Sequence, residues 1–193
     1  MEPQQVFTSY EGGPARERAD FCLACGSPLG DQPSGGRVRR ACGACGFVRY
    51  RAPAPGVSVL VVDGERFLLC RRHERELAGG KWCLPCGYVE FDEDFLAAAA
   101  REVEEETGIV VEIRSILSVV SNFITPNVHT VVTVLLAHPV AGEERAGDDI
   151  ELVRWFLAGE ELPEMAFEAD PHIIRRYFAT RPPGAPVEKR SPD

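Results

Sequence analysis

No apolar run in this sequence approaches the roughly 18 residues that cross a bilayer as a helix. The N-terminus, MEPQQVFTSYEGG, also lacks the basic-then-apolar pattern of a secretion signal. These absences predict a cytoplasmic chain with no membrane partner. Positive charge is in short supply, 21 Lys and Arg against 30 Asp and Glu, for a formal net charge of -9. It is also uneven, with seven Lys/Arg against five Asp/Glu in residues 1–55 and 14 against 25 in the remainder. So acidic a body argues against nucleic acid as a general partner, and a phosphate substrate would have to arrive with a cation or meet local arginines. The seven cysteines are an odd number, and four sit at metal-ligand spacing, which favours reduced thiols over a disulfide framework. At 193 residues and 45% hydrophobic content the chain suits one ordinary domain plus a small accessory unit.

One stretch, Gly87 to Ile109 (GYVEFDEDFLAAAAREVEEETGI), organises the rest. It holds no Gly or Pro between Asp94 and Thr107, four alanines at its centre and acidic residues crowded at its start. That composition predicts a helix of about three to four turns, its start suited to the positive end of the helix dipole and its stop set by Gly108. At roughly 100° per residue, Glu102, Glu105 and Glu106 share one stripe. Phe95, Leu96, Ala99 and Val103 form an adjoining core-facing sector, and Glu104 points away from both. Like charges on one stripe weaken a helix unless a cation sits among them. Carboxylates without His or Cys suit Mg²⁺ or Mn²⁺, which also take phosphate oxygens. A solvated acidic face is the alternative.

The full spacing, Gly87-x5-Glu93-x7-Arg101-Glu102-Val103-x-Glu105-Glu106-x-Gly108-Ile109, resembles the signature of the Nudix hydrolases at every fixed position. The preceding Trp82-Cys83-Leu84-Pro85-Cys86-Gly87 looks like that family's lead-in, with Cys86 where a small residue is usual. The resemblance implies an α+β fold: an α/β/α sandwich with a mixed sheet, over residues 56–180. It also implies roles: Glu102, Glu105 and Glu106 as Mg²⁺ or Mn²⁺ ligands, and Glu93 and Arg101 as a pair holding loop to helix. Gly87 becomes a position with little room for a side chain.

Ahead of that region, residues 1–19 read as a flexible arm. Phe21-Cys22-Leu23-Ala24-Cys25-Gly26 and Cys42-Gly43-Ala44-Cys45-Gly46 are two Cys-x2-Cys pairs, each followed by Gly. They predict a zinc ribbon over residues 20–51, in which Cys22, Cys25, Cys42 and Cys45 fill a tetrahedral Zn²⁺ and leave no position open for chemistry. Asp31 to Gly36 reads as a loop tip and Arg37 to Arg40 as a short strand. Ala52-Pro53-Ala54-Pro55 reads as a stiff linker. Val57 to Val62 and Arg66 to Arg72 form a hairpin about Asp63-Gly64. Arg71 and Arg72 end that hairpin as candidates for a substrate phosphate or as a solvated pair. Cys83 and Cys86 raise a redox or metal reading, but no second pair lies nearby, and Cys70 reads as a small buried residue.

Val110 to Phe123 and Val128 to His138 read as strands, with Phe123 offered for stacking on a base and His129 and His138 as structural histidines. The segment Asp149-Ile150-Glu151-Leu152-Val153-Arg154-Trp155-Phe156 is similar to a family strand whose preceding acid adds a ligand or acts as base. This makes Asp149 the candidate, with Asp148 and Glu151 as rivals, although Leu152 departs from the pattern. Glu105, Glu106 or Asp149 would then accept the proton from water. Phe167 to Thr180 reads as a helix with Ile173, Ile174, Tyr177 and Phe178 inward, and 181–193 as a disordered tail.

The implied reaction is hydrolysis of a nucleoside diphosphate linked to another moiety. A ribbon before the fold is similar to ADP-ribose and FAD pyrophosphatases and, more distantly, NADH pyrophosphatases. Here Val119-Val120-Ser121-Asn122-Phe123-Ile124 stands where the last group carries Ser-Gln-Pro-Trp, so ADP-ribose comes first. Clean-up of damaged triphosphates, or a non-catalytic sensor of ADP-ribose or nucleic acid, are the alternatives. The resemblance leaves a homodimer open.

Overall fold

The computed structural model describes residues 2–13, 15 and 19–188. The chain divides into two compact units, Gly12–Pro53 and Met1–Glu11 with Ala54–Asp193. In chain order the elements begin with β1 (Val6–Thr8), β2 (Leu29–Ser34), β3 (Arg37–Cys42), β4 (Ala54–Asp63) and β5 (Arg66–Arg72). There follow β6 (Trp82–Cys83), β7 (Cys86–Tyr88), helix α1 (Phe95–Thr107), β8 (Ile109–Thr125) and β9 (Val128–Gly142). The last are β10 (Ile150–Leu157), helix α2 (Ala169–Thr180) and β11 (Ala185–Pro186).

In the smaller unit β2 and β3 form an antiparallel hairpin about Gly35 and Gly36, whose φ of 58° and 74° suit residues without a Cβ. The expected loop tip at Asp31 to Gly36 is therefore mostly strand, because Asp31 to Ser34 pair with Arg40 to Arg37.

The larger unit is a mixed sheet in the order β1-β8-β9-β4-β5-β10, with β4 and β9 parallel and β8 and β9 antiparallel. Apolar runs are continuous in its central strands because both faces are covered. On one face Leu60, Val62, Phe67, Leu69, Val134 and Leu136 pack with Ile173, Ile174 and Tyr177 of α2. On the other Val57, Val59, Val61, Leu68, Leu135 and Ala137 pack with Ala98, Ala99 and Val103 of α1. The result is the α/β/α sandwich with a mixed sheet. No helix among the described residues is long and apolar enough to cross a membrane.

Helix α1 starts at Asp94, whose carboxylate accepts from the Leu96 and Ala97 N–H groups at 2.9 and 3.0 Å, and stops at Gly108 with φ 71°. The acidic residues crowded at this end fall before the helix: its first turn contains none. Their benefit comes through the cap rather than through a charged first turn.

Strands β4 and β5 pair only at Val62/Phe67 and Asp63/Arg66 and then part. The lead-in fills the split: Cys83 pairs with Cys70 of β5, Cys86 with Ser58 of β4, and the Val59 N–H donates to the Pro85 carbonyl at 2.9 Å. This wedge brings backbone N–H groups to the middle of the sheet, where side chains from both helices reach them.

Three expectations are corrected. Val6–Thr8, read as part of a flexible arm, pairs in parallel with Ser121 to Phe123 and buries Phe7 in the α2-side core. Ala185–Pro186, read as disordered tail, pairs with Ser115 and Ile116. Ala54 and Pro55, read as linker, already belong to β4 and pair with Thr130 and Val131. Residues 1, 14 and 16–18 of the expected arm and 189–193 of the expected tail lie outside the described residues.

Candidate active site

The split in the sheet opens into a cavity of about 260 Å³ whose walls include Ser58, Arg72, Gly87, Glu102, Glu106, Asp148, Asp149 and Asp170. Alternate N–H groups of the lead-in each hold a buried acid. The Cys86 N–H donates to Glu106 Oε2 of α1 at 3.0 Å, and the Leu84 N–H donates to Asp170 Oδ2 of α2 at 3.0 Å. Burial pushes the Glu106 carboxyl well above the usual carboxylate range, with the Cys86 thiol and the Asp149 carboxylate adding to it. Burial also raises Glu102, and it pushes Asp170 up to about 7.

Arg101 organises the other glutamates. Its Nη1 donates to Glu102 Oε1 and Glu105 Oε2, each at 2.9 Å, while Nε donates to Glu93 Oε2 at 3.0 Å. Those bonds from Arg101 hold Glu93 down at about 2. Gly87 lies directly under Glu102, and a Cβ added there would come 2.1 Å from Glu102 Oε1. Asp149 Oδ2 pairs with Arg72 Nη2 at 2.6 Å, and its Oδ1 is buried with no partner.

Four carboxylates thus share one pattern. In Glu102, Glu105, Glu106 and Asp149 one oxygen is held by an arginine or a backbone N–H, and the other is left over. The predicted trio does not converge to a single point. Glu102 and Glu106 line the cavity, whereas Glu105 is half exposed and paired with Arg101 outside its lining. Among the described residues the only group whose ligand atoms all lie within 4.8 Å of one another is Cys22, Cys25, Cys42 and Cys45. In that cluster Cys22 Sγ and Cys45 Sγ are 3.7 Å apart and Cys25 Sγ and Cys42 Sγ 3.6 Å. Sulfurs at about 2.3 Å from a tetrahedral Zn²⁺ would be about 3.8 Å apart, so the cluster is compatible with a zinc ribbon.

The strand period separates the predicted substrate contacts. Arg72 is buried in the cavity wall, but its neighbour Arg71 points to the opposite face and pairs with Glu151 at 3.1 Å. This removes both Arg71 and Glu151 from the site. Phe123 is likewise turned away, stacked on His129 at 3.9 Å and 16°, while Asn122 and Ile124 face the cavity. His138 Nδ1 meets the Val62 carbonyl at 2.8 Å, whereas His129 Nε2 is buried without a partner. Cys70, Cys83 and Cys86 are free thiols, all held above their ordinary range, Cys70 by burial and Cys86 by the Cys83 thiol and burial. Neutral thiols of this kind are poor nucleophiles and poor metal ligands.

Sequence reasoning missed Asp170, Ser58 and Thr130. Asp170 falls at i, i+3, i+4, i+7 with Ile173, Ile174 and Tyr177, so the period that marks the inward stripe of α2 also marks this acid. Ser58 Oγ and Thr130 Oγ1 are buried in the cavity wall without partners.

Fold and carboxylate cluster together define a hydrolase of the Nudix type. A family model, the NUDIX domain, matches residues 52–177, and the chain belongs to this family as a Nudix pyrophosphohydrolase. It is 33% identical over 130 residues to the ADP-ribose pyrophosphatase of Methanocaldococcus jannaschii, covering 67% of this chain and 75% of that one. It is 32% identical over 164 residues to the NAD-capped RNA hydrolase NudC of Stutzerimonas stutzeri, covering 83% of this chain but only 56% of that protein. A solved NUDIX hydrolase from Nitrosomonas europaea superposes with a TM-score of 0.73 at 29% identity, over 88% of this chain and 96% of that one.

Proposed function

We propose that this enzyme hydrolyses the pyrophosphate bond of a nucleoside diphosphate linked to a second moiety, with ADP-ribose the first substrate, then FAD or NADH. The observation that carries the reading is the shared pattern of Glu102, Glu106 and Asp149 in the cavity wall and of Glu105 one helix position from Glu106, each keeping one carboxylate oxygen fixed and one spare. All the spare donors are hard oxygens, and one, Asp149 Oδ1, is orphaned and buried, so the set fits Mg²⁺ or Mn²⁺. When bound, such an ion supplies a Lewis acid that neutralises pyrophosphate charge and makes an attacking water more acidic.

The chain's own residues would do the rest. The Cys86 N–H fixes Glu106, and Arg101 fixes Glu102 and Glu105, so ligand positions cost no reorganisation at the moment of reaction. A spare oxygen of Glu105, Glu106 or Asp149 takes the proton from water, and burial raises the proton affinity of Glu106. Arg72, fixed by the Leu77 carbonyl and Asp149, presents positive charge to a phosphate at the cavity wall. The ribbon thiols would hold a structural Zn²⁺, and seven free thiols suit a reducing compartment such as the cytoplasm.

A second reading, an NADH-type dinucleotide, is supported by the NudC match, which takes in 83% of this chain. The absent Ser-Gln-Pro-Trp keeps it second. Product analysis with Mg²⁺ separates the possibilities. AMP and ribose 5-phosphate from ADP-ribose support the first, and faster release of AMP from NADH the second. Pyrophosphate from a triphosphate supports clean-up of damaged nucleotides, and no turnover on any of them supports a sensor.

A further inference from the structure

The lead-in crosses the split in the sheet on two residues. Cys83 pairs with Cys70 of β5 and Cys86 with Ser58 of β4, so Leu84 and Pro85 span the gap between those strands. The Pro85 carbonyl is tied to β4 by the Val59 N–H at 2.9 Å. The Leu84 N–H, paired with neither strand, donates instead to Asp170 Oδ2 of α2 at 3.0 Å. Leu84 is fully buried, so this N–H has no bulk water to fall back on.

The strap from Leu84 to Cys86 is stiff. Pro85 has a fixed φ, and its ring narrows the conformations open to Leu84. A shift of the Leu84 N–H therefore carries through to the Cys86 N–H two residues on, the group that holds Glu106 Oε2 at 3.0 Å.

We propose that Asp170 is a positioning residue of the reaction: from α2 it anchors the strap Leu84-Pro85-Cys86, and through the Cys86 N–H it sets the place of Glu106 on α1. The proposal rests on the hydrolytic reading of Glu106. Without the Asp170 carboxyl the buried Leu84 N–H is left unpaired, and the strap moves toward another acceptor, taking the Cys86 N–H off Glu106. In Asp170→Asn the amide oxygen still accepts from Leu84, so the strap stays in place.

The test compares Asp170→Ala, Asp170→Asn, Glu106→Gln and the double variant Asp170→Ala with Glu106→Gln. Turnover of ADP-ribose with Mg²⁺ is measured at pH 6, below the value of about 7 to which burial raises Asp170, so that Asn replaces a carboxyl of the same charge. Asp170→Ala should lower kcat about 10²-fold, the scale of an ångström's misplacement, with KM within threefold of wild type. Asp170→Asn should restore kcat to within threefold. Because Asp170 acts through Glu106, adding Asp170→Ala to Glu106→Gln should cost no more than a further twofold. Exchange of the Cys86 amide, followed by NMR against that of Val103 in α1, should be at least tenfold faster in Asp170→Ala and unchanged in Asp170→Asn. Losses that multiply in the double variant overturn the proposal, as does a raised KM at unchanged kcat, which would make Asp170 a substrate contact. Unchanged Cys86 exchange in Asp170→Ala also overturns it. If the alanine variant does not fold, Asp170→Leu, closer in volume, replaces it in every comparison. Absence of wild-type turnover on any diphosphate would overturn the hydrolytic reading, while the amide exchange would still judge the strap.

Discussion

Gly147 lies against the Glu105 carbonyl so closely that a Cβ added at 147 would come 2.3 Å from that oxygen. The loop before β10 thereby caps the end of α1: the Gly147 N–H donates to the Glu106 carbonyl at 3.1 Å and the Arg145 N–H to the Thr107 carbonyl at 2.8 Å. This docking sets Asp148, at a φ of 51°, and Asp149 beside Glu102 and Glu106 in the cavity wall. Gly147→Ala should push the loop off the helix and move those acids by about an ångström, lowering turnover by about 10²-fold. Pre-steady-state kinetics and the melting temperature check this: wild-type turnover would show that the loop acids need no such positioning.

Glu106→Gln keeps an oxygen for the Cys86 N–H and removes a carboxylate that burial already disfavours. The variant should fold with stability equal to or above wild type and lose about 10²–10⁴-fold in turnover, the scale of a lost general base. A melting point depressed in step with activity would instead indicate that Glu106 holds the fold.

Asp170 gives stability a pH dependence whose sign is fixed by burial. Its ordinary value of 3.8 is raised to about 7 in the fold. Between those limits the folded chain keeps a proton that the unfolded chain has released, so stability falls as pH rises across that window. Relative to Asp170→Asn, the wild type should match the variant near pH 4 and be weaker by up to about 4 kcal/mol at pH 8, since each pH unit of the window costs about 1.4 kcal/mol. Urea midpoints of both proteins from pH 4.5 to 8.5 test this, and a constant difference would place the Asp170 ionisation elsewhere.

In the smaller unit, Cys42→Ser should release bound zinc and unfold Gly12–Pro53 while the larger unit stays folded. Trp82 and Trp155 both lie in the larger unit, so tryptophan fluorescence should stay native as zinc content falls. Unchanged zinc content would show that these thiols hold none.

The sequence was most informative where backbone and side-chain chemistry are local. The stop at Gly108 and the helical stripe of glutamates need only neighbouring residues. Strand facing was harder, since Arg71 and Arg72 differ by one position yet face opposite ways, and only the pairing with β10 says which is inward. The edge pairings of Val6–Thr8 and Ala185–Pro186 depend on the far-off strand β8, and their short polar surroundings carry no period. Asp149 was legible as an acid near the site, but not its partner Arg72, a contact between residues 77 positions apart. Asp170 was hidden for the same reason, because its partner, the Leu84 N–H, lies 86 positions away.

The central claim is that carboxylates of one cavity take a divalent cation. Titration of Mn²⁺ into zinc-loaded wild type and Glu106→Gln, followed by calorimetry, tests it most directly. Saturable binding in the wild type, weakened at least tenfold in the variant, is the predicted result. Identical isotherms for the two proteins would contradict it.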